Sequence, residues 1–457
     1  MREEQNLAAG SVTKKLLLFA WPLLLAQLLQ AFYSVVDMLV VGNLVGEAGL
    51  AAVSNASMLS FIIQSVGVGV TLGGTVLTAQ DKGAGDEGGQ RETAGTLLIM
   101  TLAAALAVTV IGLLAYRPVF RAMRVPAASM EGACAYMRVI CCGTVLGFGY
   151  NGVSALMKGR GDSRGPLLCV AAAAAVNTAL DLLLVGPLGL GTAGAAWATV
   201  LAQGASLAAA LRLWRRSGAG SLRKRVAVRP ERAAAILKIG LPAAVQMAVV
   251  NIAYLLMTGM LNEFGVSAAA ASGVGLKVNT LAGMPCWAVG QAVTAMAGQS
   301  MGADNRERVR RTVRAGLGLS GLATAAVVLL VQLWARPIIL LFGAEHPETL
   351  QAGVLYLRTC CGVNSLVYAA MYTLDSFAIG VGAAHVAMGN ALLDAVAVRL
   401  PVSWLLAFAA GLGVWGAYLG QALSPILPAL VGFWYFRNGG WERKGAIRPG
   451  LRGGRRA

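Results

Sequence analysis

Leu16 to Gly42 reads LLLFAWPLLLAQLLQAFYSVVDMLVVG and follows Lys14-Lys15. A helix rising 1.5 Å per residue needs about 20 apolar residues to cross the ~30 Å hydrocarbon core of a bilayer, and this stretch is long enough. It is too long for the apolar core of a cleaved signal peptide and has no clear small-residue cleavage site, so it is expected to remain as a first permanent span. One charge lies inside it, Asp37. A carboxylate in hydrocarbon is costly unless water, a cation, a proton or a partner offsets it, which makes Asp37 a candidate functional residue. The alternative is a side chain that caps or snorkels at the outer face.

The pattern recurs along the chain. Of 457 residues, 57% are hydrophobic and 12% charged, about half the charged fraction of an ordinary soluble protein. Repeated long apolar runs predict an all-α polytopic membrane protein. Twelve spans fit, near 16–41, 50–79, 93–116, 133–157, 166–186, 190–213, 233–261, 269–298, 315–341, 352–378, 387–409 and 413–436. Most of the 37 Lys and Arg fall on one side of them: beside Lys14, in the loops with Lys82 and Lys158, from Arg212 to Lys238, from Arg306 to Arg314, and after Arg437. Arg117, Arg121 and Arg124 run against that bias, but the positive-inside rule still puts both termini in the cytoplasm. The net charge of +17 therefore reads as topology and not as nucleic-acid binding.

Other chemistry is not expected. The seven cysteines form no CxxC pair and read as small apolar fillers, while His346 and His385 lie far apart. Gly159-Arg-Gly-Asp-Ser-Arg164 lacks the order of a phosphate loop and reads as a tight turn. No nucleophile–base pair or Walker sequence is visible, so neither an enzyme nor direct drive by ATP is expected.

The sequence also matches itself at an offset of about 220 residues. Tyr136-Met-Arg138 pairs with Tyr356-Leu-Arg358, and Gln80-x-x-Gly83-Ala84 with Gln299-x-x-Gly302-Ala303. Gly189-Leu-Gly191 pairs with Gly411-Leu-Gly413, and Pro22 with Pro242. An even number of spans per half means that both halves face the same way. The expectation is two pseudo-symmetric six-helix bundles, related as a parallel repeat, around a central cavity. Residues 1–212 form the amino-terminal lobe, 213–232 a basic cytoplasmic linker, 233–436 the carboxy-terminal lobe and 437–457 a basic tail.

These residues carry a family resemblance. In the first half they are Pro22, Val36-Asp37, Val41-Gly42, Leu50-Ala-Ala-Val53, Gln80-x-x-Gly83-Ala-Gly85, Gly159-Arg-Gly-Asp162 and Asn177-x-x-x-Asp181. In the second they are Ile239-Gly-Leu-Pro242, Gly290-Gln-Ala292, Gly298-Gln299 and Arg399-Leu-Pro401. Over nearly the whole chain the set resembles the bacterial multidrug and toxic compound extrusion (MATE) transporters. The resemblance implies a monomeric secondary transporter of the bacterial inner (plasma) membrane. It would export drug-like, often cationic small molecules by alternating access against inward Na⁺ or H⁺, without a cofactor or nucleic-acid partner. It implies a cation or proton site at Asp37, Asn177 and Asp181, with Asn151 and Thr199 beside them. Apart from Na⁺ at Asp37 and Asp181, no metal is expected. The chain departs from the family in carrying Asp375 and Asp394 in its second half.

Helix geometry adds to this. Asn177 and Asp181 are one turn apart and share a face. Measured from the inner ends of their spans, Asp181 lies ~24 Å in and Asp37 ~33 Å along. Two carboxylates at similar depth can hold one hard cation, or share a proton because like charges in low dielectric resist double ionisation. Pro22 is the expected hinge. Gln246, Asn251, Tyr254, Met257, Trp287, Tyr368 and Met371 are candidate lining of a promiscuous substrate pocket, with ordinary core packing as the alternative.

Lys277 and Arg399 are the deep basic candidates, and Arg138 and Arg358 the interfacial ones. Asp394 and Arg399 sit ~140° apart on an α-helix and are expected to pair with other spans. Asp394 is the better acidic candidate of the half, and Asp375, near an inner end, is expected to be solvated. A lipid-linked oligosaccharide flippase of the related superfamily is the competing reading. It calls for a cavity crowded with Arg and Lys, and this sequence offers few.

Overall fold

The computed structural model describes residues 6–217, 228–342, 346–362, 364–444 and 447. Arg2, the linker residues Arg223, Lys224 and Arg225, and the tail residues Arg448, Arg452, Arg455 and Arg456 lie outside the described residues. The first half comprises α1 (Val12–Leu44), α2 (Glu47–Gly83), α3 (Glu87–Ala122), α4 (Ala127–Gly159), α5 (Arg164–Val185) and α6 (Gly191–Arg216). The second comprises α7 (Pro230–Asn262), α8 (Val266–Gly302), α9 (Arg306–Leu341), α10 in two pieces (Pro347–Cys360 and Asn364–Gly380), α11 (Ala384–Ala409) and α12 (Gly413–Arg437). Ten of these are long and apolar enough to cross a membrane, and the two pieces of α10 together make an eleventh. α8 completes the twelve and is 37 residues long, like α2.

The internal repeat is written into the elements. α1 and α7 each have 33 residues, and α3 and α9 each have 36. Gly46 and Gly265 turn the chain into α2 and α8 at φ 85° and 95°, a region where a side chain is strained. The Asp86 and Asn305 side chains cap α3 and α9, accepting from the backbone N–H groups of Gly89 at 2.7 Å and Arg308 at 2.9 Å.

Packing divides the chain into two units. Unit 1 holds Trp21–Ala244 together with Asn6 and Ile447, and unit 2 holds Leu7–Ala20 and Val245–Ala446. The first turns of α1 therefore belong to unit 2 and the first turns of α7 to unit 1. Pro22 and Pro242 sit beside the two divisions.

In unit 1, α4 packs on α2, α3 and α6, and α5 packs on α6. Small residues let backbones approach closely: a Cβ added to Gly73 of α2 would come within 2.2 Å of the Ile236 carbonyl oxygen on α7. At the start of α7, Arg232 is buried and donates to Asp81 at 2.6 Å, Thr93 at 2.8 Å and Glu92 at 3.2 Å.

Unit 2 holds the segment before α1 in a different way. Arg308 donates to the carbonyls of Leu7, Ala9 and Gly10, and Gln299 accepts from the Leu7 N–H at 2.9 Å. Within α11, Leu393–Arg399 and Leu405–Ala409 are wound as π-helix.

Candidate functional site

Asp181 sits on α5, where the run Ala171–Ala175 favours helix and keeps the surface thin. It is fully buried, at 0% exposure. Asp37, partly buried on α1, brings its carboxyl into interaction range of it. Two carboxylates offer only acceptors, so they can bond to each other only through a proton that they share. Neither oxygen of Asp181, nor Oδ1 of Asp37, has a hydrogen-bond partner among the described residues. Asn177, one turn before Asp181 and also buried, has both its side-chain oxygen and nitrogen unpartnered. Orphaned polar atoms at this depth call for an explanation.

Tyr136 of α4 lies in electrostatic range of both carboxyls and close to Thr199 of α6, whose hydroxyl donates to the Ala195 carbonyl at 3.1 Å. Tyr33, one turn before Asp37, also lies in range of that residue. Asn151 is partly buried, and no hydrogen bond or ion pair joins it to the two acids among the described residues. Tyr136 and Tyr33 carry no functional mark in the sequence, since aromatic residues are ordinary in spans. The only signal was the repeat match at Tyr136. The arrangement can take up a proton, or a hard cation whose shell is completed by amide and hydroxyl oxygens. No group of three or more His, Cys, Asp or Glu side chains able to hold a metal ion occurs among the described residues.

Unit 2 corrects two expectations. Asp394 and Arg399 do not pair with other spans but with each other, Arg399 Nη2 donating to Asp394 Oδ2. The cause is the π winding of Leu393–Arg399, whose i→i+5 hydrogen bonds stack residues that an α-helix would set apart. Arg399 Nε also donates to Ser424 at 3.3 Å, and its guanidinium lies 4.7 Å from the centre of the Tyr254 ring.

Asp375 is not solvated. It is 3% exposed, because α10 is enclosed by α8, α9, α11 and α12, and it accepts from Asn390 Nδ2 at 2.6 Å.

Of the remaining candidates, Tyr254 lies in electrostatic range of Tyr368, and Tyr368 accepts from Trp287 Nε1 at 3.2 Å. These three form one cluster with Asp394 and Arg399. Gln246, Asn251, Met257, Lys277 and Met371 do not join it by any hydrogen bond, ion pair or ring contact among the described residues. Asn251 donates back to the Met247 carbonyl at 2.7 Å, Met257 and Met371 are core, and Lys277 is exposed. Arg138 and Arg358 are both exposed. Asn390 and Ser424 were not marked in the sequence, since short polar residues in spans most often serve packing.

Comparison with known proteins gives one pattern. The MatE family model matches twice, over residues 22–183 and 242–405. The probable multidrug resistance protein YpnP of Bacillus subtilis is 27% identical over 95% of this chain and 96% of its own length. The probable multidrug resistance protein NorM of Thermotoga maritima is 25% identical over 95% and 94%. A crystal structure of MATE in the bent conformation superposes with a TM-score of 0.90 at 22% identity, covering 97% of this chain and 99% of that one.

Proposed function

The chain belongs to the MatE family of multidrug and toxic compound extrusion transporters, and on that premise we propose that it is an ion-coupled antiporter working through Asp37 and Asp181. It is a multidrug efflux transporter of a multi-pass membrane type, not an enzyme. In the proposed reaction, organic and often cationic compounds leave the cell while Na⁺ or H⁺ enters. The observation that carries the reading is the pair of carboxyls that face each other in unit 1, with Asp181 fully buried and neither of its oxygens hydrogen-bonded among the described residues.

A proton or cation on the pair removes the repulsion between two buried carboxylates and favours the shape of unit 1 that brings them together. Asn177 and Thr199 supply oxygens to the same place. Without the ion the carboxylates repel, and the unit prefers a shape in which they are apart. A ligand shifts such an equilibrium only by binding the two shapes differently, and two acids that meet in one shape supply that difference. Pro22 lacks a backbone N–H and is the hinge of α1 in this reading. The bent conformation named for a related structure is the kind of change meant. In unit 2 the one deep cation of the aromatic cluster, Arg399, is already spent on Asp394, which argues against a pyrophosphate-binding flippase.

The test is ethidium efflux from proteoliposomes under an imposed Na⁺ gradient and, separately, an imposed pH gradient. One gradient should drive efflux in the wild type, and Asp37→Asn should abolish it. Undiminished efflux by well-folded Asp37→Asn would overturn the reading.

A further inference from the structure

Unit 2 buries three ionisable side chains in α10 and α11: Asp375, Asp394 and Arg399, at 3%, 1% and 3% exposure. Arg399 and Asp394 settle each other's charge through the π turn, with Ser424 and the Tyr254 ring around the guanidinium. Asp375 has no counter-ion among the described residues. Asn390 is its one hydrogen-bond partner among the described residues.

The groups that face its stretch of α10 are few. α8 brings Cys286, in range of Tyr372, and Thr294, which donates to the Ser376 carbonyl at 2.9 Å. α9 brings Ser320, 2.9 Å from Thr373. α12 brings Tyr435, whose ring centre lies 6.2 Å from that of Phe377, and Tyr372 lies on α10 itself. From α11 comes Asp394, a like charge. None of these is a cation. A bare carboxylate so placed is strongly disfavoured, because burial removes it from solvent and nothing positive replaces the lost solvation.

We propose that Asp375 is a proton site of unit 2, separate from the Asp37–Asp181 pair. One carboxyl oxygen holds the proton while the other accepts from Asn390. When the packing around α10 opens, the O–H bond breaks heterolytically, the proton passes to solvent water and the carboxylate remains. The reverse step reloads it. The ligand is a proton and not Na⁺: Asn390 turns its N–H toward the carboxyl, whereas a hard cation needs a shell of oxygens. Asp394 differs from Asp375 in having a counter-ion, Arg399. The proposal rests on the transport reading only for the occasion on which α10 opens.

The test is infrared difference spectroscopy of the full chain in lipid, which needs no transport and so fails independently of the transport reading. Subtracting Asp375→Asn from the wild type at neutral pH should leave one protonated-carboxyl C=O band, sensitive to deuteration. Subtracting Asp394→Asn should leave none. If Asp375→Asn does not fold, Asp375→Glu should move the same band. A wild-type spectrum unchanged in that region by the substitution at Asp375, or an acid band lost with Asp394, would overturn the proposal.

Discussion

Arg232 at the start of α7 and Asp81 near the end of α2 are separated by 151 positions in the chain, yet their side chains meet at 2.6 Å, both buried. Removing one member of such a pair strands the other's charge, which costs about 3–5 kcal/mol, whereas replacing both with apolar groups is often neutral. Arg232→Gln should therefore lower the melting temperature in detergent strongly. Asp81→Asn should do so less, because Glu92 still accepts from Arg232 at 3.2 Å. Asp81→Leu with Arg232→Met should recover most of the loss. Equal melting of all the variants would show that the pair contributes nothing to stability.

The closeness of the Asp37 and Asp181 carboxyls makes the two acids one functional group in the proposed mechanism. Asp37→Asn and Asp181→Asn should each stop gradient-driven ethidium efflux, and the double variant should be no worse than either. Independent sites would instead give multiplicative losses. Dye counterflow at equilibrium, which needs no net ion movement, should survive better than driven efflux in all three.

The π turn between Asp394 and Arg399 predicts a sharp dependence on side-chain shape. Arg399→Lys keeps the charge but loses the fork that reaches Asp394 and Ser424 together. It should melt below the wild type, and Asp394→Ala lower still, by about 3–5 kcal/mol, since it leaves a buried guanidinium unpaired. Chemical denaturation in mixed micelles reads both. A wild-type midpoint for Asp394→Ala would show that the pair is not needed to hold the turn.

Gly73→Ala should be costly, because its Cβ would sit 2.2 Å from a backbone oxygen, an atom that cannot swing aside. Overpacking of this kind costs about 1–3 kcal/mol. Gly318→Ala on α9 is the control: nothing lies within 4 Å of the added carbon, and alanine gains about 0.5–1 kcal/mol over glycine in a helix. Thermal melts of the two variants should move in opposite directions.

The spans and the repeat were legible because both are written as long-range pattern. Apolar runs set the helices, and an offset near 220 residues set their correspondence through pairs such as Pro22 with Pro242 and Gln80 with Gln299, to which the structure adds Gly46 with Gly265 and Asp86 with Asn305. Asp37 stood out because a charge in hydrocarbon is rare. Tyr136 did not, because a tyrosine there is common. The Asp394–Arg399 pair was read wrongly for a specific reason: projecting residues at 3.6 per turn assumes α winding, and nothing in Leu393–Arg399 announces the π register. Asp375 was misjudged because its distance from a span end does not reveal how many helices surround it. Arg232 was counted only as a basic residue of a loop, and its acidic partners lie on helices far back in sequence.

The opening turns of α1 are made before α2 to α6, yet the rest of the unit they complete is made after those helices. Unit 1, in turn, stays one segment short until the opening turns of α7 have been made. Neither half can finish its packing on the strength of its own stretch of nascent chain. Insertion of this protein should thus end in a late, concerted closing step, and a chain stopped after α6 should be held by chaperones or degraded rather than accumulate as a finished half.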